Sequence, residues 1–472
     1  MAVEASLVEL LLEPLVLERP EHPISRRDID SNVLKVLYRL INADHVAYLV
    51  GGGVRDLMLA RQPKDFDIAT SAHPHQIREL FRNSRLIGRR FRLVHVFFGT
   101  TNIEVATFRR RGEGDNADDL LIRHDNTFGT PEEDAFRRDF TVNALFYDPR
   151  SFRVLDYVGG VPDLSDRLIR TIGEPELRMR EDPVRMIRAV RLAAKLNFEI
   201  EPATARAIES CAGDLSRASV PRLVEEIYRT LLLANSAHAL SLMERLGLLD
   251  STLPMLSSYL KRFHHELEAA PTVRIMGALG GAIEAGFEPP RGFLLACLLA
   301  DLHLTRGVES ASVHPLQLCD ALRARGFSRG DTEHMRLLLD ALSHMLKPSR
   351  TTRRLVRRPY FPLARRLFEL IAPIFSVDPA ELDRFLTASP EHHRASRNQH
   401  SGHTMGAGTS SHRRRKRRGR RPRRGGNRRL HGIGDLGPKT PKAGVSADGF
   451  AAEASVQAAP DADGMPDRKK WQ

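Results

Sequence analysis

The strongest constraint on this chain is a change of texture near residue 160. Before it, short runs rich in β-branched and aromatic residues recur: AYLVGG at 47–52, FDIAT at 66–70, RLVHVFFG at 92–99 and NIEVATF at 102–108. The last two flank Gly99-Thr100-Thr101, which reads as a hairpin connection. VRDLMLA and PHQIRELF carry helical patterns between the runs, so this third of the chain predicts a small mixed sheet backed by helices. Residues 109–130 are polar and dotted with glycine, the pattern of a long functional loop. After residue 160 the strand signals stop. Period-3.6 patterns take over, from DPVRMIRAVRLAAKL and PRLVEEIYRTLLL to GFLLACLLADLHL and LARRLFELIAPIF, and predict an all-α body. The expected fold class is therefore α+β, a sheet-bearing head followed by a helical body.

Charge separates a third region. The run RRRKRRGRRPRRGGNRR, Arg413 to Arg429, holds 12 Lys or Arg and no acid, which accounts for all but one of the formal +13. With almost nothing apolar to bury, residues from about 396 onward are expected to be disordered. A dozen cations within 17 residues favour a polyanion-binding arm over a solubility tail, because counterion release from phosphates is a strong, sequence-blind source of affinity. Cys211, Cys297 and Cys319 are widely spaced and odd in number, which argues for a reducing compartment and against a disulfide framework or zinc site. VEASLVELLLEPLVLERP is interrupted by Glu4, Glu9, Glu13 and Pro14 and does not read as a signal peptide. No segment approaches the ~20 apolar residues of a membrane span, so a cytoplasmic protein without membrane partners is expected.

The chemistry is concentrated in four places. On a strand, side chains two apart share a face, so Asp65 and Asp67 in DFDIAT are expected side by side with Phe66 turned to the core. Two carboxylates that close need a countercharge, and Mg²⁺ is commonly held by one or two carboxylates plus substrate phosphates. Glu104, on a later strand, is equally readable as a third carboxylate or as an ordinary exposed acid. Upstream, Gly51, Gly52 and Gly53 close a strand and open a helix, which lets backbone approach a triphosphate; the spacing is not that of a Walker loop. In EEDAFRRDFTVNAL, Arg137 and Arg138 offer permanently charged grips for phosphate, and Asp139, read alone, is a helix cap before an apolar, helix-like run. In REDPVRMIRAVRLAAKL, Asp182 and Arg185 lie three apart on a helix opened by Pro183, with Arg188 and Arg191 continuing their face. One accepts and the other donates, which suits the Watson–Crick edge of adenine or of cytosine and leaves the choice between them open.

LVGGGVRDLMLARQPKDFDIAT, IEVATFR, RRDFTVNAL and EDPVRMIRAVRLAAKL, in that order, resemble the motif series of the class II branch of the polymerase β-like nucleotidyltransferases. That branch holds the bacterial poly(A) polymerases and the CCA-adding tRNA nucleotidyltransferases. LIGRRFRLVHVFFG at 86–99 and the Arg-rich tail resemble the poly(A) polymerase side. The resemblance implies a nucleotidyltransferase head at 31–158 after an N-terminal extension at 1–30, a nucleotide-recognition and RNA-binding helical segment at 159–222, a helical body at 223–395 and an RNA-binding tail at 396–472. It implies that Asp65 and Asp67 hold two catalytic Mg²⁺ ions, that Asp139 is a third active-site acid, and that Gly51, Gly52, Arg55, Asp56, Arg137 and Arg138 lie against ATP. Asp182 and Arg185 would contact the base, while Arg188, Arg191 and the tail residues Arg413, Arg414, Arg415, Lys416, Arg417 and Arg418 would hold RNA. The implied activity is template-independent transfer of AMP to RNA 3′ ends, on mRNA and other transcripts, with RNA-degradation machinery as a candidate partner. A CCA-adding enzyme is the alternative within the same chemistry, and a non-catalytic RNA-binding protein the alternative outside it. Two departures stand out. The third glycine, where Gly-Gly-Ala is more usual, is expected to loosen the turn, and Ala300-Asp301 lacks the preceding histidine of the phosphohydrolase domain found in some relatives.

Overall fold

The computed structural model describes residues 13–88, 93–99, 101–110, 127–263, 266–304 and 313–388. Residues 1–12, Arg89 to Arg92 of the Gly-Arg-Arg-Phe-Arg run, most of the 109–130 loop, and the Arg-rich run with the whole stretch from 389 lie outside the described residues. The chain divides into two units, Met1–Gln399 and His400–Gln472, and only the first contains described residues.

Eight strands form the head sheet: β1 Leu15–Leu17, β2 Ala47–Val50, β3 Asp67–Thr70, β4 Ser84–Ile87, β5 Leu93–Phe98, β6 Thr101–Thr107, β7 Leu145–Asp148 and β8 Arg153–Asp156. Their order is β1-β8-β7-β2-β3-β6-β5-β4. Every neighbouring pair is antiparallel except β3 and β6, which run parallel with Asp67 opposite Glu104. Strand alternation explains why the run AYLV is apolar throughout. Leu49 of β2 and Ile68 of β3 join the main core with Val36, Leu37 and Leu40 of the helix Ser31–Ile41, while Val50, Ala69, Phe108 and Phe146 form a second cluster. Both faces are therefore buried.

Three expectations need correction. Residues from Leu15 onward are not an extension: β1 pairs with β8 from Leu15↔Asp156 to Leu17↔Val154, and Ile24 and Ile29 lie in the core. Without β1, β8 would expose a row of unpaired backbone groups. The run after Asp139 is not a helix. A single 3₁₀ turn, Thr141–Asn143, leads directly into β7, as the aromatic content of LFYD favours. The body also retains strands, because β9 (Leu168–Ile169) pairs in parallel with β10 (Glu199–Ile200).

Beyond this the body is helical, and prolines open many of its helices, among them Pro175–Glu181, Pro202–Cys211 and Pro271–Glu284. The helix Arg291–Leu304 is buried from Gly292 to Leu302, which is why its sequence lacks a polar face. Its Asp301 is wholly buried and accepts a hydrogen bond from the Tyr259 hydroxyl. One continuous core links head and body, with Met179, Ile187 and Val190 contributing from the body side.

The junction is organised by Asp156. Its carboxylate accepts from the backbone N–H groups of Val158 (3.1 Å), Gly160 (2.9 Å) and Val161 (2.8 Å), which starts the helix Gly160–Ser165. Asp156 is itself buried. Replacing it by Ala leaves three N–H groups without this acceptor, and we expect Asp156→Ala to cost about 2–3 kcal/mol, read as a lower urea midpoint at unchanged m-value.

Candidate active site

Asp67 opens β3 and Asp65 stands just before the strand, while Phe66 between them packs against the core. Asp65, Asp67 and Glu104 line one cavity of about 650 Å³. Its other walls come from Arg27 to Asp30 ahead of the helix Ser31–Ile41, from the loop Gln62–Lys64, from Thr101 to Ile103, and from Arg229 of the body helix Val220–Leu231. Asp67 keeps an open side toward solvent, yet protein atoms crowd its carboxyl. That desolvation, with Glu104 and Asp65 adding negative charge and Arg138 partly relieving it, pushes the group up to about 6. Negative charge is thus concentrated at Asp67, where the sequence predicts a cation. Among the described residues no three His, Cys, Asp or Glu side chains form a complete metal cage. The paired aspartates instead suit a hard cation whose remaining ligands are substrate phosphates and water. Glu104 lies beside Asp67 in register and also reaches His95, whose Nε2 is 3.4 Å from its Oε1.

The glycines have separate tasks. Gly51 adopts φ +73°, ψ −138°, a conformation open essentially to glycine alone, and a Cβ there would stand 3.2 Å from Arg138 Nη1 and 3.8 Å from Asp67 Oδ2. Gly53 is buried, and a Cβ on it would meet the Asp65 carbonyl oxygen and the Phe66 ring at 3.3 Å. The third glycine therefore does not loosen the turn. It brings the helix Gly52–Met58 close against the aspartate loop.

Most of the expected arginines turn inward. Arg55 is buried and donates through Nε (2.8 Å) and Nη2 (2.6 Å) to Asp56 Oδ1, and through Nη1 to Asn143 Oδ1. Lys195 of the helix Val184–Leu196 lies 3.4 Å from Asp56 Oδ2. Arg137 and Arg138 both pair with Asp134, at 3.2 and 2.8 Å, and Arg138 also donates to the Asn143 carbonyl. Asp139 does not cap a helix. It is buried against Arg188 at 2.7 Å and accepts from the Phe140 N–H. Burial alone would raise its pKa, but Arg188 and Arg185 hold the carboxyl below its usual range.

The Asp182–Arg185 pair is not formed. Asp182 falls in the break between the helices Pro175–Glu181 and Val184–Leu196, where Arg222 grips its carboxylate through two bonds of 3.0 and 2.7 Å. Arg185 is buried and donates to the Arg178 carbonyl (2.8 Å) and to Glu181 (3.3 Å). Arg191 pairs with Glu226 at 2.7 Å. Arg188 and Arg191 are thus engaged in internal ion pairs and do not form an outward RNA face. Helix spacing alone put these residues on one face; the partners came from helices that the spacing could not place. Arg178, missed in the sequence, donates from Nη2 to the backbone carbonyls of both Arg137 and Arg138, clamping the Arg-Arg-Asp segment. Arg222 and Arg229 were missed too, since nothing in PRLVEEIYRTLLL distinguishes them from solvated charges. Arg413 to Arg418 lie outside the described residues.

Residues 47–170 match the family model of the poly A polymerase head domain, and 197–260 match the probable RNA and SrmB-binding site of polymerase A. The solved Bacillus stearothermophilus CCA-adding enzyme in complex with CTP superposes with a TM-score of 0.57 at 27% identity, covering 77% of this chain and 82% of that one. The fold and site are therefore those of a nucleotidyltransferase head, and over residues 47–170 and 197–260 the chain is similar to the tRNA nucleotidyltransferase/poly(A) polymerase family. Poly(A) polymerase I of Salmonella typhi is 51% identical over 253 residues, 52% of this chain and 54% of that protein. Poly(A) polymerase I of Escherichia coli O157:H7 is 56% identical over 225 residues, 46% of this chain and 48% of that protein. The CCA-adding enzyme of Bacillus subtilis is 40% identical over 198 residues, 42% of this chain and 49% of that protein. The chain spans about half the length of the curated relatives it matches.

Two outcomes follow from the geometry. Because the Asp67 pKa is raised from its ordinary value near 4 to about 6, the folded state holds this proton over a window where the unfolded chain releases it. Wild-type stability relative to Asp67→Asn should therefore fall as pH rises from about 4 to about 6 and stay lower above that; thermal unfolding across pH without divalent cations reads the difference. Gly51→Ala should cost about 1–3 kcal/mol through backbone strain. Gly52→Ala should cost less, since its added Cβ meets only the end of the Arg55 side chain at 3.4 Å; chemical denaturation of both variants makes the comparison.

Proposed function

We propose that this protein adds AMP from ATP to the 3′-hydroxyl of RNA without a template, releasing pyrophosphate and marking transcripts for turnover. The observation that carries the reading is the 51–56% identity to poly(A) polymerase I over a stretch as long as 253 residues, against 40% to a CCA-adding enzyme. Asp65 and Asp67 would hold the metal, and the raised pKa of Asp67 supports this, because added positive charge relieves the crowding there. Two Mg²⁺ ions bound with the triphosphate would supply Lewis-acid polarisation at the α-phosphorus and a lowered pKa at the RNA 3′-hydroxyl. The lack of side chains at Gly51 and Gly52 gives a phosphate close access beside the Arg138 guanidinium. Arg178 and Asp134 hold that guanidinium and its segment in place, while Asp139 and Arg188 tie it to the body. Asp182, oriented by Arg222, is the acceptor we assign to the incoming base, and adenine N6 is the donor it would meet.

The domains we assign are a catalytic head to residue 158, a recognition segment at 159–222, a body to 395 and an RNA-binding tail beyond. Residues 197–260 would meet RNA, a role supported by their match to the polymerase A binding-site model. RNA-degradation machinery is the partner class this role suggests. Three buried, unpaired cysteines support a reducing, cytoplasmic setting, and among the described residues no helix is long and apolar enough to cross a membrane.

The test offers each nucleoside triphosphate separately, with Mg²⁺, to a generic RNA and to a tRNA lacking its terminal CCA. We expect long products from ATP on both primers, and none from Asp67→Ala protein that still binds RNA. Addition of C residues followed by a single A, on the tRNA alone, would replace this reading with CCA addition. RNA binding with no extension from any nucleotide would leave a binding protein.

A further inference from the structure

The far end of the body carries a charge pattern that the site does not use. From Ala341 to Phe368 there is no acid, and the segment KPSRTTRRLVRRP at 347–359 places Lys347, Arg350, Arg354, Arg357 and Arg358 exposed on the surface. Among the described residues none of the five has a carboxylate partner. The contrast with neighbouring helices is sharp. Arginines there, exposed or partly exposed, reach acids one turn away: Arg229 to Glu225 at 3.1 Å, Arg336 to both Glu333 and Asp340 at 2.6 Å, Arg365 to Glu369 at 3.0 Å.

The segment is nonetheless firmly built. Ser349 caps the helix Arg350–Leu355, the Thr352 hydroxyl donates to the His344 carbonyl at 2.7 Å, and Thr352 and Leu355 are buried. Arg353 is engaged separately, donating to the carbonyls of Phe385 (3.2 Å) and Ala388 (2.6 Å). Arg350 and Arg354 lie four residues apart on this helix, where like charges repel, Arg350 at the first position also opposes the helix dipole, and Arg357 and Arg358 follow just past the helix end. A fold that holds cations together against that repulsion presents a receptor for a polyanion.

We propose that the surface from Lys347 to Arg358 binds the phosphate backbone of single-stranded RNA upstream of the reacting 3′ end. This rests on the nucleotidyl-transfer reading above and adds to it the place where RNA is held. The patch helix packs on the helix Arg329–Leu346, which packs on Arg291–Leu304, which touches Val220–Leu231, the helix whose Arg229 lines the active-site cavity. Several packed helices thus separate the patch from the aspartates, so it meets a long strand and not a short one. The interaction is with phosphate and carries no base preference.

The experiment uses the full chain with Arg350, Arg354, Arg357 and Arg358 all changed to Gln, and a second protein with the same four changed to Lys. Binding of a long single-stranded RNA and of a short oligoribonucleotide is followed by fluorescence anisotropy across salt, with ATP-dependent extension of both and thermal unfolding measured alongside. The Gln protein should bind the long RNA about ten-fold or more weakly, with a salt slope shallower by about 0.7 for each phosphate that is no longer neutralised. Its handling of the short oligonucleotide and its thermal midpoint should be unchanged, and the Lys protein should bind as wild type. Unchanged binding of long RNA by the Gln protein would overturn the proposal and leave an acidic protein surface as the occupant. Equal weakening on short and long RNA, or failure of the Lys protein to restore binding, would overturn it as well. The expected binding pattern without extension by wild-type protein would uphold the patch and defeat the polyadenylation reading.

Discussion

The parallel pairing of β3 with β6 is the constraint on which the site depends. It is the one parallel pairing among eight strands, and it sets Asp67 directly opposite Glu104 with Asp65 close by. Three carboxylates at one end of a sheet repel one another, and among the described residues none of the three is closed off by an arginine or lysine salt bridge. Arg138 relieves Asp67 only in part, and the His95 ring lies between Glu104 and Asn102. The remaining negative potential is what a hard cation with phosphate ligands would satisfy. Gly51 and Gly53 serve the same arrangement. One permits the backbone to turn beside Asp67, and the other lets the following helix lie against the loop that carries Asp65.

The body works on the head through one buried arginine clamp and several partly exposed ion pairs. Arg178 clamps the carbonyls of Arg137 and Arg138, Arg188 pairs with Asp139, and Lys195 reaches Asp56. Arg222 then holds Asp182 at the break between two helices. Pairs with one partner open to water contribute little net stability, because solvent screens their attraction. Their role here is to fix geometry: the segment that carries Arg138 and Asp139 is tied at both ends to the helices behind it. The exposed cations at Lys347–Arg358 contrast with these, since they sit in water without acid partners among the described residues and remain available to an external polyanion.

Much of this was legible in the primary structure because it depends on short-range periodicity. Alternation located β2, β3, β5 and β6, and helical spacing located the body helices from Val184–Leu196 to Phe361–Ile371. DFD and the glycine run lie within one strand-turn-helix-strand unit, so their proximity follows from local geometry. The two largest misplacements were long-range. The strand Leu15–Leu17 forms because β8, far along the chain, offers it an edge. The run after Asp139 becomes a turn and a strand because β2 and β8 flank it.

The sequence by itself determined the chemistry available: paired aspartates, a glycine turn, arginine-rich motifs in a fixed order, and the change from sheet to helix near residue 160. Only the tertiary structure decided which charge meets which. Asp182 went to Arg222 and not Arg185, Arg188 to Asp139, Arg191 to Glu226, and Glu104 to a place beside Asp67. Spacing along a helix states which residues share a face, but ion pairs form with whatever packs against that face, and the packing partners come from distant parts of the chain.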